Sequence, residues 1–231
     1  MNIEEFIEEL KKINIIPTNK QLNQLETYYQ LLIEYNKIMN LTGITEHDQV
    51  YLKHFYDSLT INNIFSLTEK HTLCDIGSGA GFPGIVLKIV FPNLKVTLID
   101  SLNKRIEFLN IVINKLELKN IETKAVRVEE YGKMYRETYD IVTARAVAPL
   151  NILLEYAIPL LKTGGYFIPM KANLENNYHQ ALKVLDAKEV KKVEFYLPKE
   201  NSIRTLLLIQ KEKNTKKIFP RNNAQIKKSP L

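Results

Sequence analysis

The chain has 231 residues, 45% of them hydrophobic, and a formal net charge of +6. This length suits one α/β domain, and a single cysteine excludes an internal disulfide and a zinc cluster, so we predict no metal site. No apolar run approaches the roughly 18 residues of a membrane helix, and the acidic start is unlike a signal peptide. We therefore expect a cytoplasmic protein that does not bind a membrane.

The positive charge is concentrated at the C-terminus. From Lys211 onward there are seven Lys or Arg against one Glu, so the rest of the chain balances at 25 basic and 25 acidic residues. Such a segment is either a solvated solubility feature or a source of salt-dependent attraction to RNA. We divide the chain into an N-terminal helical cap (1–70), an α/β domain (71–212) and a basic C-terminal tail (213–231), forming one compact unit.

The first 70 residues are predicted to be helical. An amphipathic helix opens the chain, and the capping-box sequence Thr18–Gln21 begins a longer helix that ends at Asn40–Gly43. A further helical region covers Glu46–Phe65. We expect these helices to pack against one edge of the sheet that follows.

A glycine-rich stretch, T-L-C-D-I-G-S-G-A-G-F-P-G, occupies Thr72–Gly84. Its apolar start predicts a buried strand, the glycines a sharp turn, and Ile85–Phe91 a helix. A second strand, Val96–Ile99, ends in Asp100, 23 residues beyond Gly77. A carboxylate at that separation can accept hydrogen bonds from both hydroxyls of a ribose. The stretch therefore predicts an adenosine-type cofactor site, the alternative being a glycine turn in an α/β protein without one.

The loop details select the cofactor. Phe82 stands where a dinucleotide fingerprint requires its third glycine, and Asp75 lies at the end of the strand. The resulting pattern, D-x-G-x-G-x-G, resembles motif I of the S-adenosylmethionine-dependent methyltransferases. That cofactor has no pyrophosphate, and its ammonium and sulfonium charges suit an acidic residue.

Strands and helices alternate after Thr72, which indicates a doubly wound α/β fold with a mostly parallel sheet. We predict about seven strands, with the last one antiparallel because the final connection is too short for a crossover helix. The further strands are Ile121–Val126, Tyr139–Ala144, Tyr166–Met170, Val190–Leu197 and Thr205–Gln210, and the helices are Leu102–Leu116, Asn151–Leu161 and Glu175–Leu185.

Ligands of an open α/β sheet bind beyond the carboxyl ends of the strands. Three cations, Arg127, Arg145 and Lys171, fall at such ends, where a neutral body has no structural need for them. Each has a structural alternative, which for Arg145 is a salt bridge to a loop carboxylate. Val128 is placed to lie under an adenine ring, with Glu129 beside it.

Six motifs stand in one order along the chain: N-L-T-G-I-T, K-H-F-Y-D-S, D-I-G-S-G-A-G-F-P-G, D-S-L-N-K-R, R-V-E-E and A-R-A-V-A. Together they resemble the bacterial ribosomal RNA small-subunit methyltransferase G family, also called glucose-inhibited division protein B, over nearly the whole chain. The resemblance implies a Rossmann-like class I methyltransferase that transfers a methyl group from S-adenosylmethionine to N7 of a guanine in 16S rRNA. We expect a monomer acting on the small ribosomal subunit or its precursor.

The resemblance also implies site residues. For the cofactor they are Gly77, Phe82, Asp100, Val128, Glu129 and Arg145, to which the loop positions add Asp75, Gly79, Ser101 and Leu102. For RNA they are Asn40, His54, Arg127, Lys171 and Arg204.

Guanine N7 has a free lone pair and no proton to lose, so its methylation requires positioning rather than a general base. Arg145 and His54 are the only candidates for a catalytic role, and His54 equally fits a structural hydrogen bond or an RNA contact. Methylation of pyrimidine C5 needs a cysteine nucleophile, whereas Cys74 lies inside a predicted strand. Two rival functions stay open, a small-molecule or protein methyltransferase and a non-catalytic RNA-binding protein.

Overall fold

The computed structural model describes residues 1–175 and 177–231, and within them the chain forms one seven-stranded sheet. The strands are β1 (Thr72–Ile76), β2 (Lys95–Asp100), β3 (Ile121–Ala125), β4 (Tyr139–Arg145), β5 (Leu161–Lys171), β6 (Ala187–Tyr196) and β7 (Ile203–Lys211). Their order is β3-β2-β1-β4-β5-β7-β6. The pairs among β1 to β5 are parallel, and β7 is antiparallel to both of its neighbours. The predicted fold class is therefore confirmed.

Helices cover both faces of the sheet. They are α1 (Ile3–Lys12), α2 (Asn19–Met39), α3 (His47–Val50), α4 (Asp57–Leu59), α5 (Gly84–Val90), α6 (Asn103–Lys115), α7 (Val128–Met134), α8 (Leu150–Ala157), α9 (His179–Val184) and α10 (Asn223–Lys228). A π-helical segment, Tyr51–Tyr56, joins α3 to α4, and 3-10 turns follow at Thr60–Asn63 and Ile158–Leu160. The predicted helical region Glu46–Phe65 is thus one continuous run that changes its winding along its length.

Helix α2 begins where its capping box predicts and then secures two other helices. The Thr18 side chain accepts a hydrogen bond from the Gln21 N–H, and the Gln21 side chain bonds the Thr18 backbone in return. The side-chain amide nitrogen of Gln21 also donates to the carbonyls of Ile89 and Val90. The side-chain amide nitrogen of Gln24 donates to the carbonyl of Leu116. These carbonyls lie at the C-terminal ends of α5 and α6, where a helix leaves acceptors unpaired.

The N-terminal helices pack on a face of the sheet, so the expectation of an edge position is wrong. Helix α2 contacts α5 and α6, and α4 contacts α5. The buried rings of Tyr28 and Phe55 join a core cluster that includes Leu73 of β1 and Ile168 of β5. Burial explains the difference, because the apolar sides of these helices lose far more contact with water over a broad face than along one edge strand.

A second core cluster lies on the opposite face. Strand β1 alternates between the two, since Leu73 belongs to the first cluster and Cys74 to the second. The Cys74 side chain is fully buried, and burial raises the pKa of its thiol well above the usual range. Its interpretation as a small buried apolar residue is confirmed, and it is no nucleophile.

Several predicted elements differ in extent from those in the structure, and one helix was not predicted. Val128 and Glu129 begin helix α7, a short element that the sequence pattern did not reveal. Helix α9 covers only His179–Val184 of the predicted Glu175–Leu185, and position 176 of that range lies outside the described residues.

The basic C-terminal segment lies back on the α/β domain. The fully buried Glu155 carboxylate accepts from Arg221 Nε at 2.8 Å and from the Arg221 backbone N–H at 2.9 Å. Phe219 and Ile226 are buried against the second core cluster, and Arg136 donates to the carbonyl of Thr215 at 2.7 Å. An ion pair and apolar burial therefore hold the segment in place.

None of the helices among the described residues combines the length and the apolar character needed to cross a bilayer.

Replacing Arg221 by alanine is expected to lower the free energy of unfolding by about 3 kcal/mol, because it leaves the buried Glu155 carboxylate without its counter-ion. Urea unfolding monitored by circular dichroism measures this change. The matched control is Lys217→Ala, which removes the same charge from an exposed position of the same segment. Equal unfolding midpoints for the two variants would show that the ion pair does not stabilise the fold.

Candidate active site

The turn between β1 and α5 requires glycine at two of its positions. Gly77 has a φ of +69° and Gly81 a φ of +102°, in the left-handed region. A Cβ on Gly77 would lie 2.6 Å from a methyl carbon of Val147, and one on Gly81 would lie 2.6 Å from the Tyr28 hydroxyl oxygen. The predicted glycine turn is present, and close packing on both sides fixes its shape.

Asp100 ends β2 and connects the turn to the neighbouring loop. Its Oδ2 accepts from the Gly79 N–H at 3.0 Å and from the Arg105 guanidinium at 3.1 Å, while Oδ1 accepts from the Leu102 N–H at 3.0 Å. The side chain is only 3% exposed. A carboxylate oxygen has two lone pairs, so Oδ1, which accepts one hydrogen bond from the described residues, can also accept one from a ligand hydroxyl.

A cleft, here called the first cavity, opens beyond the carboxyl ends of β1 to β4. Five of the predicted cofactor residues line it: Gly77, Asp100, Ser101, Val128 and Glu129. The wall also includes Arg127, which was predicted to face RNA, and the unpredicted Arg105, Ala146, Val147, Tyr156 and Asn223. The other predicted cofactor residues, Asp75, Gly79, Phe82, Leu102 and Arg145, lie around the turn or beside the cleft rather than on this wall.

Asp75 is buried behind the turn. Its Oδ2 accepts from the Gly84 N–H at 3.0 Å, while its Oδ1 is buried without a partner among the described residues. Burial raises the pKa of Asp75 to about 7, and the hydrogen bond from Gly84 opposes that rise. The protein thus holds a carboxyl group that titrates near neutrality directly below the glycine turn.

A second cavity adjoins the first, and Ala146 lines both. The buried Asp57 carboxylate lines this second cavity, 3.1 Å from an Arg145 guanidinium nitrogen and 3.0 Å from Arg204 Nε. Lys171 lines the same cavity and pairs with Glu175 at 3.0 Å. Arg145 therefore forms a salt bridge, which was its structural alternative. The carboxylate is that of Asp57 in helix α4, rather than one in a loop.

Phe82, in the turn between β1 and α5, contacts both Arg145 and His54. The Arg145 guanidinium lies 5.0 Å from the centre of its ring, and the His54 ring stacks on it at 4.4 Å. His54 Nε2 lies 2.9 Å from Thr42 Oγ1. Burial, together with the Arg145 charge, lowers the pKa of His54 to about 3, so this imidazole is neutral at physiological pH and would be a weak general base.

The predicted RNA residues do not all line one cavity. His54, Lys171 and Arg204 meet in the second cavity. Arg127 lies on the wall of the first cavity, and Asn40 ends helix α2 with a left-handed backbone, on the wall of neither.

The sequence reasoning missed Asp57 in the second cavity and, in the first cavity, Arg105, Ala146, Val147, Tyr156 and Asn223. Asp57 belongs to the motif K-H-F-Y-D-S. The sequence signal that could have identified it is a carboxylate inside an apolar helical run. Tyr156 and Asn223 reach the first cavity from helices α8 and α10, and no local pattern marks either of them.

The chain was compared with protein families and with curated relatives. A family model described as rRNA small subunit methyltransferase G matches residues 21–207. A protein of Staphylococcus saprophyticus named "Ribosomal RNA small subunit methyltransferase G" is 47% identical, over 100% of this chain and 99% of its own. A protein of Lysinibacillus sphaericus with the same name is 46% identical, over 100% of both chains.

Solved structures give the same fold. An S-adenosylmethionine-dependent methyltransferase from Aquifex aeolicus superposes with a TM-score of 0.53 at 20% identity, covering 71% of this chain and 94% of the other. A mutant form of MtNAS superposes with a TM-score of 0.56 at 14% identity, covering 84% and 75%. At these identities the likeness shows the fold alone.

The raised pKa of Asp75 has a consequence for stability. Because the folded protein holds this proton more tightly than the unfolded chain, the contribution of Asp75 is fully present below pH 4 and is lost as the pH rises to about 7. Asp75→Asn keeps an acceptor for the Gly84 N–H but cannot ionise. We expect the free energy of unfolding of this variant to increase relative to that of the wild type between pH 4 and pH 8. Urea titration at each pH measures the difference. Parallel curves for the two proteins would contradict the raised pKa.

Proposed function

We propose that this chain, which belongs to the rRNA small subunit methyltransferase G family, transfers a methyl group from S-adenosyl-L-methionine to N7 of a guanine in 16S rRNA. The family match confirms the resemblance drawn from the sequence motifs. The observation that carries the mechanism is the meeting of two cavities at Ala146, one built on a glycine turn and a buried carboxylate, the other lined by cations.

The first cavity suits the cofactor. S-adenosylmethionine supplies an electrophilic methyl group on a sulfonium sulfur. Asp100 Oδ1 has acceptor capacity for a ribose hydroxyl, and Val128 and Glu129 line the same wall. The unpartnered Oδ1 of Asp75 is a buried acceptor below the turn, which suits a cationic ligand on the other side. Ser101 completes this wall, while Gly79, Phe82 and Leu102 shape the loops behind it.

The second cavity suits the guanine and its backbone. Arg145, Lys171 and Arg204 line it, and His54 remains neutral beside them. Asp57 pairs with two arginines, so this trio retains one net positive charge, which attracts a phosphate chain. Since N7 carries a lone pair and no proton, these residues need only hold the base in line with the methyl group. Arg145 and His54 are then positioning residues.

Radiolabel transfer tests the function directly. The full chain is incubated with methyl-labelled S-adenosylmethionine and either small subunits or 16S rRNA from cells that lack the gene. Label recovered as one 7-methylguanosine supports the proposal, and label only on protein or small molecules supports the rival enzyme. No binding of S-adenosylhomocysteine in a calorimetric titration would favour the non-catalytic RNA-binding protein.

The remaining expectations, a monomer that acts in the cytoplasm, belong to the same proposal. Light scattering of the purified chain with and without RNA tests the oligomeric state.

Asp100→Ala is expected to weaken S-adenosylhomocysteine binding by about 2 to 4 kcal/mol, because it removes a charge-assisted hydrogen bond to the ribose and the carboxylate that holds the glycine turn and the loop before α6. Isothermal titration measures the affinity. Glu107→Ala, which removes an exposed carboxylate from helix α6, is the control and should bind like the wild type. An unchanged affinity in a folded Asp100→Ala variant would refute the role of this residue.

Lys171→Met is expected to raise the KM for RNA about tenfold, since one cation is lost from the second cavity, while the affinity for S-adenosylhomocysteine stays unchanged. The exposed Lys183→Met in helix α9 removes the same charge away from the cavity and serves as the control. Steady-state methyl transfer at two salt concentrations gives the KM. A KM equal to that of the control would exclude Lys171 from RNA binding.

A further inference from the structure

The C-terminal segment passes beside the first cavity. Asn223, the first residue of α10, lines that cavity, and its Oδ1 accepts a hydrogen bond from the Tyr156 hydroxyl at 3.0 Å. A neighbouring hollow is lined by Asn223, Arg127 and Glu129, so the Asn223 carboxamide stands next to the start of α7. The match to the family model stops at residue 207, and Asn223 lies beyond it.

The order of the strands identifies which end of a bound nucleoside lies here. The glycine turn follows β1, Asp100 ends β2, and Val128 and Glu129 follow β3, on the far side of β2 from the turn. A ribose held at Asp100 therefore carries its base toward β3 and α7. That is the part of the wall where Asn223 and Tyr156 stand.

The carboxamide of Asn223 matches one purine in particular. An Asn side chain presents an acceptor and a donor side by side, which fits the exocyclic amine and N7 of adenine. The Asn223 Oδ1 has a second lone pair after accepting from Tyr156, and its Nδ2 donates to none of the described residues. Burial and the nearby Glu129 and Glu155 carboxylates raise the pKa of Tyr156, so its hydroxyl stays protonated and donates to Asn223.

We propose that Asn223 binds the adenine of the methyl donor and that Tyr156 positions it, so that the C-terminal segment is part of the cofactor site. This inference rests on the proposed function. It also explains why an ion pair and buried apolar side chains fix a segment that could otherwise extend into solvent. A 6-oxo purine offers an acceptor in place of the amine and loses the complementarity.

Isothermal titration of the full chain with S-adenosylhomocysteine and with S-inosylhomocysteine tests the proposal. The wild type should prefer the adenosyl compound. In Asn223→Ala the affinity for it should fall about tenfold, and the preference over the inosyl compound should shrink. Gln225→Ala, an exposed change in the same helix, should leave both affinities unaltered.

Tyr156→Phe tests the positioning role, because it removes only the hydroxyl that orients Asn223. Its loss of affinity should be smaller than that of Asn223→Ala, and the double variant should bind no worse than Asn223→Ala alone. A Tyr156→Phe variant that binds like the wild type would overturn the positioning role.

Two other outcomes separate this inference from the function on which it rests. A wild type that binds S-adenosylhomocysteine, with an Asn223→Ala variant that has the same affinity and the same preference, overturns the adenine contact alone. A wild type that binds neither compound overturns the proposed function, and the adenine contact with it. Thermal unfolding of each variant verifies that the segment remains folded on the domain.

Discussion

The buried Asp100 carboxylate is the interaction on which the rest of the site depends. It bonds the backbone of the glycine turn after β1 and the backbone of its own loop before α6, so two neighbouring strand ends are fixed to one side chain. Parallel pairing of β1 with β2 and β4 brings these ends to the same edge of the sheet. A ligand hydroxyl at Asp100 would thus meet a wall that is already in position, and little ordering free energy is lost on binding.

The N-terminal helices contact the glycine turn and line the second cavity. The Tyr28 hydroxyl of α2 donates to the Ala80 carbonyl in the turn, and His54 stacks on Phe82. The Asp57 carboxylate of the helical segment forms a salt bridge with Arg145, the last residue of β4. The two cavities are consequently shaped by contacts that cross from the helical segment to the sheet, so folding of the first 70 residues is a condition for both.

The sequence predicted the elements whose signals are local and missed those that depend on distant partners. Strand alternation, the Thr18 capping box and the spacing from Gly77 to Asp100 all follow from neighbouring residues, and all are present in the structure. Helix α7 is short and largely polar, so no periodicity revealed it. The placement of the C-terminal segment depends on Arg221 meeting Glu155, 66 residues earlier, which a count of basic residues cannot show.

The docked position of the C-terminal segment changes the interpretation of its positive charge. Of the seven cations from Lys211 onward, Lys211 and Arg221 pair with Glu137 and Glu155 inside the fold, and Lys213 faces Asp186. The other four cations are exposed lysines: Lys216, Lys217, Lys227 and Lys228. Asn223 lies between the two pairs, on the wall of the first cavity. Exposed positive charge and the carboxamide of Asn223 therefore lie on one docked segment, so loosening its ion pairs would disturb the wall of the first cavity and the position of these lysines together.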